Sequence, residues 1–244
     1  MLLFASALVP GAASATQTAR ITARFGPEHL GVVRAISFEF NLEGDGHVSS
    51  PVQSVQLDYP GNLGFATSGL GVAACRQRTL ELTGPRACPR DSVMGHGSAV
   101  AEIPIGPELI HEHISLTVLA GPSTDGYLHM LIYADGKTPV TAQNIITGIL
   151  LPGRLNITIP PIPSLPGTPY VTITHMTITL GGALTYYEHR HGRTVAYRPA
   201  GVSLPALCPR GGFPFGASFS FMDGTRTAAA TAAACPTRHP AVRH

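Results

Sequence analysis

The sequence predicts an all-β fold, mainly an antiparallel β-sandwich of the immunoglobulin-like or a related kind. Apolar and polar residues alternate along many short segments, for example residues 36–42 and 215–221, and such alternation is typical of strands with one buried face. Asp-Gly pairs, which favour hairpin turns, lie between or beside these segments and begin at residues 45, 125, 135 and 223. A chain of 244 residues is long enough for one such domain.

The other elements follow from the same patterns. Further strand-like segments occupy residues 54–59, 126–134, 144–151, 154–159, 171–180 and 194–199. One short helix is predicted within residues 75–82, because good helix formers there are followed by Gly84 and Pro85. The proline-rich segment 160–169 is too poor in backbone donors for a ladder. We interpret it as a crossing inside one domain, and a linker between two domains is the alternative.

The first residues have features of a secretory signal. An apolar stretch from Leu2 to Val9 precedes a Pro-Gly break and the small residues 13–15. We expect a signal peptide over residues 1–15; no Lys or Arg precedes its apolar stretch, so either its true start lies upstream or the segment is a buried N-terminus. A single sandwich domain is expected over residues 16–244, with a disordered tail from about residue 236.

The charge distribution argues against nucleic acid as a partner. The formal net charge is +2, and the basic residues are arginines scattered along the chain, with Lys137 the single lysine. Nucleic-acid-binding proteins usually cluster such residues on one face. No later run reaches the roughly 18 apolar residues of a transmembrane helix, so we expect a secreted, extracellular protein without a transmembrane span after signal removal.

The four cysteines agree with export, because disulfides form in oxidising compartments. Four cysteines allow three pairings. We favour the sequence-local one, Cys75 with Cys88 and Cys208 with Cys235, in which each bridge holds a loop to its neighbouring strand. Closing a loop of about 15 residues is worth about 3 kcal/mol of stability. A four-cysteine zinc site is the alternative, but it usually needs Cys-x-x-Cys pairs, which this sequence lacks.

The segment IHEHISLTV, residues 110–118, raises the question of a metal site. In a strand, His111 and His113 lie on one face, where the two imidazoles could together bind Zn²⁺ or Cu²⁺. The alternative is that both are solvated surface residues. Glu112 falls on the apolar face by the same alternation, which indicates either that the strand begins after it or that it pairs with an arginine.

Two histidines are too few for tight metal binding, so other ligands would have to join them. Candidates are His129 on the next predicted strand and the pair His189 and His191. We expect that pair to flank a hairpin turn, because Gly192 follows it and a new strand begins near Arg193. No other cofactor is indicated.

The sequence gives little support for an enzyme. GHGSA, residues 95–99, is similar to a hydrolase nucleophile elbow, but Gly-x-Ser-x-Gly needs glycines where this chain has His96 and Val100. No pair of carboxylates stands out for glycoside hydrolysis. A binding role suits loops carried by a rigid sheet, and either Tyr186 or Tyr187 should be an exposed contact, because adjacent strand residues face opposite ways.

Two cysteine-containing blocks carry a resemblance. Cys-Pro-x-x-Ser-x-x-Gly-x-Gly begins at Cys88, and Cys-Pro-x-Gly-Gly-Phe begins at Cys208. With these blocks in this order, most of the chain after the signal resembles a group of uncharacterised secreted proteins from high-GC actinobacteria. The resemblance implies export, a β-rich structure and paired cysteines. It transfers no catalytic residue, because no activity is known for the group.

Together these observations lead to one main hypothesis and two alternatives. The main hypothesis is a secreted or cell-envelope-associated, non-catalytic binding or structural protein, whose partner is an extracellular ligand or an envelope component. The first alternative is an exported metal-binding protein that uses the His-x-His pairs. The second alternative is an extracellular hydrolase.

Overall fold

The computed structural model describes residues 17–26, 35–44, 49–65, 73–105, 107–138, 141–163, 170–181, 186–197, 202–205 and 207–235. Strands make up 63% of them, and the predicted all-β, mainly antiparallel class with one short α-helix is confirmed. Within these ranges, no helix is long and apolar enough to cross a membrane. The predicted signal peptide, the tail from residue 236 and residues 164–169 of the proline-rich crossing lie outside them.

Fifteen strands are present in the described ranges. They are β1 (Thr18–Gly26), β2 (Ala35–Glu43), β3 (Val52–Asp58), β4 (Gly64–Phe65), β5 (Val93–Ile105), β6 (Glu108–Ala120), β7 (Leu128–Gly136), β8 (Ala142–Leu151), β9 (Arg154–Thr158), β10 (Thr172–Leu180), β11 (Tyr186–Arg190), β12 (Arg193–Tyr197), β13 (Val202–Ser203), β14 (Phe213–Phe221) and β15 (Arg226–Ala233). Eleven of them form one sheet in the order β1-β2-β10-β5-β6-β7-β8-β9-β3-β14-β15. All neighbours in this sheet are antiparallel.

The large sheet curls over until its two ends face each other across one core. Phe38 of β2 meets Phe215 of β14 with ring centroids 5.5 Å apart, and Phe40 meets Phe219 at 5.7 Å. An immunoglobulin-type sandwich has two separate sheets, whereas here a single, nearly closed sheet encloses the core. Alternation along a strand indicates which side chains point inward but not which strands are neighbours, and so could not distinguish these arrangements.

The predicted alternation itself is confirmed on the inner face of the sheet. The apolar members of the two segments that define the pattern are all buried, namely Ile36, Phe38, Phe40, Leu42, Phe215, Ala217, Phe219 and Phe221. Their polar neighbours lie on the outer face. The polar side chains of the described sheet are therefore concentrated on its outer face, which meets solvent.

The predicted short helix is α1 (Gln77–Thr83), which lies in the loop closed by the Cys75–Cys88 disulfide. Gly84 ends it at φ 74°, and the Gly84 N–H donates to the Leu80 carbonyl at 2.9 Å. Leu80 and the disulfide pack against outward residues of β6 and β7, namely Leu119, Leu131 and Tyr133. This small second core stabilises a helix that would be too short to persist alone.

The second disulfide joins Cys208, before β14, to Cys235, after β15. Both sequence-local pairings are therefore confirmed. Gly211 and Gly212 lie between Cys208 and the start of β14, and they have φ of 86° and 93°, which glycine adopts without strain. A Cβ at Gly212 would lie 2.4 Å from the Ala233 carbonyl oxygen. The Cys-Pro-x-Gly-Gly-Phe block is thus explained by a disulfide and a tight turn.

The other cysteine block ends in Gly95 and Gly97, which lie inside β5. A Cβ at these positions would lie 2.1 Å from the carbonyl oxygens of Thr179 and Thr177 in β10. Glycine is therefore required for the close approach of β5 and β10. The GHG sequence serves strand pairing, and Ser98 beside it lies in mid-strand rather than on a nucleophile elbow.

The Asp-Gly pairs have different outcomes. Two of them lie in turns as predicted, and their glycines, Gly126 and Gly224, have φ of 82° and 84°. Asp135-Gly136 is not a turn, because β7 continues through Gly136 and pairs there with both neighbouring strands. The pair at residue 45 lies outside the described ranges.

Gly136 has another role, which corrects the interpretation of Glu112. β6 begins at Glu108 and not after Glu112, so Glu112 lies within the strand, 2% exposed on the inner face. A Cβ at Gly136 would lie 2.3 Å from Glu112 Oε1. The glycine makes room for a buried carboxylate near the end of the sheet.

Candidate functional site

His111 and His113 lie on one face of β6, as the sequence predicts. Both are exposed on the outer side of the sheet, and the side chain of His111 is 57% accessible. In the register of β5 and β6, His111 is opposite Glu102 and His113 is opposite Val100. The imidazole Nε2 of His111 is 3.5 Å from Glu102 Oε1. The pair faces solvent beside a single carboxylate.

The other candidate ligands lie elsewhere. His129 is in the part of β7 that pairs with β8 beyond the β6 ladder, and its ring N–H donates to Asp125 at 3.0 Å, which lowers the pKa of Asp125. His189 and His191 belong to the β11–β12 hairpin. Among the described residues, no three His, Cys, Asp or Glu side chains converge in a group that could hold a metal ion.

The β11–β12 hairpin turns at Gly192 as the sequence predicts, but His191 lies in the turn itself and does not flank it. His191 and Gly192 connect the strands with φ of 51° and 76°, the combination found in tight two-residue hairpin turns. The side chain of Tyr187 is 72% exposed, so it is an outward-facing aromatic residue of the predicted kind. His189 and His191 are exposed as well.

A network of polar side chains covers the outer face of β2, β10, β5 and β6, here called the histidine face. Asn41 Nδ2 donates to Glu39 at 3.4 Å, and Asn41 Oδ1 accepts from His175 Nδ1 at 2.7 Å. The second nitrogen of that ring accepts from the Thr177 hydroxyl at 3.3 Å. The polar groups around His175 are therefore largely satisfied by one another.

A second polar surface lies on the outer side of β9, β3, β14 and β15, here called the outer groove. It is a concave region of about 640 Å³, within the usual size range of ligand sites. Two cross-strand rows line it: Thr158–Ser54–Ser220–Arg226 and Asn156–Gln56–Ser218–Ala228. With strands about 4.8 Å apart, the rows span about 14 Å.

Most polar side chains of the outer groove have no protein partner. Gln56 donates to Asp58 at 3.1 Å. Within the described part of the chain, the six other polar side chains at outward positions form no hydrogen bond with the protein: Ser54, Asn156, Thr158, Ser218, Ser220 and Arg226. Hydroxyls and amides can donate and accept. The groove therefore offers both kinds of group to a ligand, and Arg226 is the charged member of its described lining.

An ion pair borders the outer groove along β3 and β9. Arg154 Nε donates to Asp58 Oδ1 at 2.8 Å. This hydrogen bond is the main cause of the lowered pKa of Asp58; partial burial opposes it, and the bond from Gln56 adds to it. The two charges neutralise each other at the border of a surface that is otherwise nearly neutral.

Beyond this ion pair lies a cleft of about 490 Å³ at the rim of the sheet, here called the tyrosine cleft. Its walls come from three loops, and they include Tyr59, Leu63, Tyr127, Leu128, Pro152 and Gly153. The Tyr59 hydroxyl donates to the Leu151 carbonyl, and burial raises the pKa of Tyr59. The side chain of Tyr127 remains 41% exposed.

The interior of the sheet is closely packed. Two voids of about 20 Å³ each lie between apolar side chains, which include Phe40 and Ile157 at both. Each void is about the size of one water molecule. A ligand larger than water would therefore meet the described sheet from outside or at its rim.

Comparison with protein-family models, with curated proteins and with solved structures found no match to this chain. The resemblance of the cysteine blocks to secreted actinobacterial proteins stays a prediction.

The sequence analysis did not identify the outer groove, although one signal of it is present in the sequence. Ser, Gln, Asn and Thr occupy the outward positions of three separate strand segments, but their pairing is not encoded locally.

Proposed function

We propose that the protein is an exported, non-catalytic binding protein whose outer groove holds a neutral, polyhydroxylated ligand such as an extracellular or cell-wall saccharide. The observation that carries this proposal is the set of unpartnered hydroxyl and amide groups in the outer groove. Such groups match the alternating donors and acceptors of sugar hydroxyls. One arginine and no carboxylate in the described lining favour a ligand without net positive charge.

Further features support the proposal. The strands that form the outer groove are held by a continuous ladder from β8 to β15, and the Cys208–Cys235 disulfide ties its last hairpin. A rigid frame lowers the entropic cost of ordering a binding site. Two disulfides are consistent with an extracellular protein.

A glycan microarray containing neutral, acidic and basic saccharides tests the proposal, with calorimetry on the saccharides that are retained. We expect retention of neutral saccharides and no release of product. Ser218→Leu fills the groove and should weaken binding by about tenfold or more, because it removes a hydroxyl and blocks the surface. Ser98→Leu is the matched control, since Ser98 is an exposed mid-strand serine on the histidine face.

The outcomes distinguish the parts of the proposal. Failure to retain any saccharide contradicts the saccharide ligand. Equal loss in Ser218→Leu and Ser98→Leu contradicts the placement in the outer groove. Turnover of the retained saccharide contradicts the non-catalytic role and favours the hydrolase alternative. Melting temperatures of both variants establish that folding is intact.

Metal binding through His111 and His113 is a second candidate, favoured by their exposure on one face beside Glu102. Imidazole suits Zn²⁺ and Cu²⁺. Calorimetric titration with each ion should show binding to the wild type that is lost in His111→Ala/His113→Ala. Absence of heat in the wild type contradicts this candidate and leaves both histidines as solvated residues of the sheet.

A further inference from the structure

The outer groove and the tyrosine cleft are adjacent along the same strands. Asp58 and Arg154 form the last cross-strand pair of β3 and β9. The residue that follows β3 is Tyr59, which belongs to the tyrosine cleft, and its N–H donates to the Gly153 carbonyl at 3.0 Å. From Ser54 to Tyr59 the backbone advances about 16 Å. The outer groove therefore ends at this ion pair on the outer face, and the tyrosine cleft begins just beyond it at the rim, where Tyr59 and Leu128 pack against the core. A ligand that reaches both passes over the rim of the sheet.

The two regions differ in chemistry in a complementary way. The outer groove presents hydroxyls and amides, whereas the tyrosine cleft presents two aromatic rings among apolar walls and backbone groups. Sugar rings have polar edges and apolar C–H faces, so one surface suits their hydroxyls and the other suits their faces. The Tyr59 ring is held by the bond from its hydroxyl to the Leu151 carbonyl.

The ion pair between them is compatible with a neutral chain. Arg154 and Asp58 satisfy each other at 2.8 Å, so a ligand lying across them leaves no charge newly unpaired. A single small sugar could occupy either region but could not reach both, because the regions extend over a distance longer than one ring.

We infer that the ligand is an extended, neutral polysaccharide chain, that the tyrosine cleft is its second subsite, and that Tyr127 is the residue on which a sugar ring of that chain packs. This inference rests on the proposed function, since it extends the outer groove. It adds that the ligand is a polymer. It also gives the path of the ligand over the surface, which runs from Arg226 across β14 and β3 to the loops at the rim.

The experiment is a chain-length series measured by calorimetry on the full chain. The probes are β-1,4-linked N-acetylglucosamine oligomers and β-1,3- and β-1,4-linked glucose oligomers, each from disaccharide to octasaccharide. Wild type, Tyr127→Ala and Ser218→Leu are compared. Tyr170→Ala is the matched control, because Tyr170 is also 41% exposed and is not among the described residues of the cleft.

We expect affinity to rise by about tenfold or more between the disaccharide and the longest oligomer in at least one series, and Tyr127→Ala to remove that rise. Ser218→Leu should weaken every length. Affinity independent of length, or equal effects of Tyr127→Ala and Tyr170→Ala, overturns the second subsite while leaving the outer groove in place. If no oligomer binds to the wild type, the proposed function and this inference both fail.

Discussion

The histidine face and the outer groove are both polar outer surfaces of the same sheet, yet their side chains are used differently. On the histidine face, polar groups bond to one another, as in the 2.7 Å contacts of His175 with Asn41 and of Ser37 with Thr179. In the outer groove, the hydroxyls of β3, β9 and β14 and the amide of Asn156 have no described protein partner. This difference in free hydrogen-bonding groups, and not polarity alone, is the reason for which the proposed binding surface is the outer groove and not the histidine face.

The largest expected effect concerns the strand pairing under the histidine face. Gly97→Ala should destabilise the protein by about 3 kcal/mol, because its Cβ would lie 2.1 Å from the Thr177 carbonyl oxygen. Urea unfolding measures the loss. Gly148→Ala is the control, since its nearest neighbour is the flexible end of Met130 at 3.4 Å. Similar losses in the two variants would show that β5 and β10 are not packed as closely as described.

The second effect concerns ligand binding by the outer groove. Gln56→Ala/Asn156→Ala removes both amides of one cross-strand row and should weaken saccharide binding by about 2 kcal/mol. His111→Ala/His113→Ala on the histidine face should leave that affinity unchanged. Calorimetry with a saccharide retained on the array compares them. The reverse order of effects would place the binding surface on the histidine face.

The third effect is a difference in protein stability between a variant on the histidine face and a variant in the outer groove. His175→Ala should cost about 1 kcal/mol, because it removes the bonds to Asn41 and Thr177. Asn156→Ala removes no bond to the described protein and should stay within about 0.5 kcal/mol of the wild type. Thermal unfolding of both variants in the same buffer gives the answer, and equal losses would remove the distinction between the faces.

The smallest effect concerns the ion pair at the border of the outer groove. The pKa of Asp58 is lowered by Arg154, so its contribution to stability is present above the usual carboxyl pKa, about 4, and is lost as pH falls through the lowered value. Because both side chains are nearly half exposed, we expect less than about 1 kcal/mol.

Carboxyl-carbon NMR titration of wild type and Arg154→Leu checks this last expectation. The pKa of Asp58 should return towards the usual carboxyl range in the variant, and the difference in unfolding free energy between the two proteins should shrink on acidification. An unchanged pKa of Asp58 in Arg154→Leu would show that the arginine is not the cause of the lowered value.

Local patterns were sufficient where the structure depends on near neighbours. Alternation identified Phe38 and Phe219 as buried, because side-chain direction in a strand follows directly from position. Proximity identified both disulfides, and Gly192 indicated the hairpin turn between β11 and β12. Each of these features depends on residues that lie at most some thirty positions apart in the chain.

The remainder depends on contacts between distant segments. β10 lies between β2 and β5 in the sheet, and no pattern within residues 172–180 indicates which strands are its neighbours. The outer groove combines Ser54, Asn156, Ser218 and Arg226 through the same kind of long-range pairing. From the sequence, Gly136 was interpreted as a turn residue. Glycine is needed there because the carboxylate of Glu112 lies against it, and Glu112 is 24 residues away in the sequence.

The odd number of strands in the antiparallel sheet has a mechanical consequence. Direction alternates across eleven strands, so β1 and β15 run parallel where the curled sheet brings them together, and Phe25 near the end of β1 meets Phe213, the partner of Ala233 at the end of β15. The chain therefore enters β1 at one end of the sheet and leaves β15 at the other. Tension applied between those two points acts along the strands and loads the hydrogen bonds of the outermost ladders together, so the domain should resist pulling by shear rather than open one bond at a time.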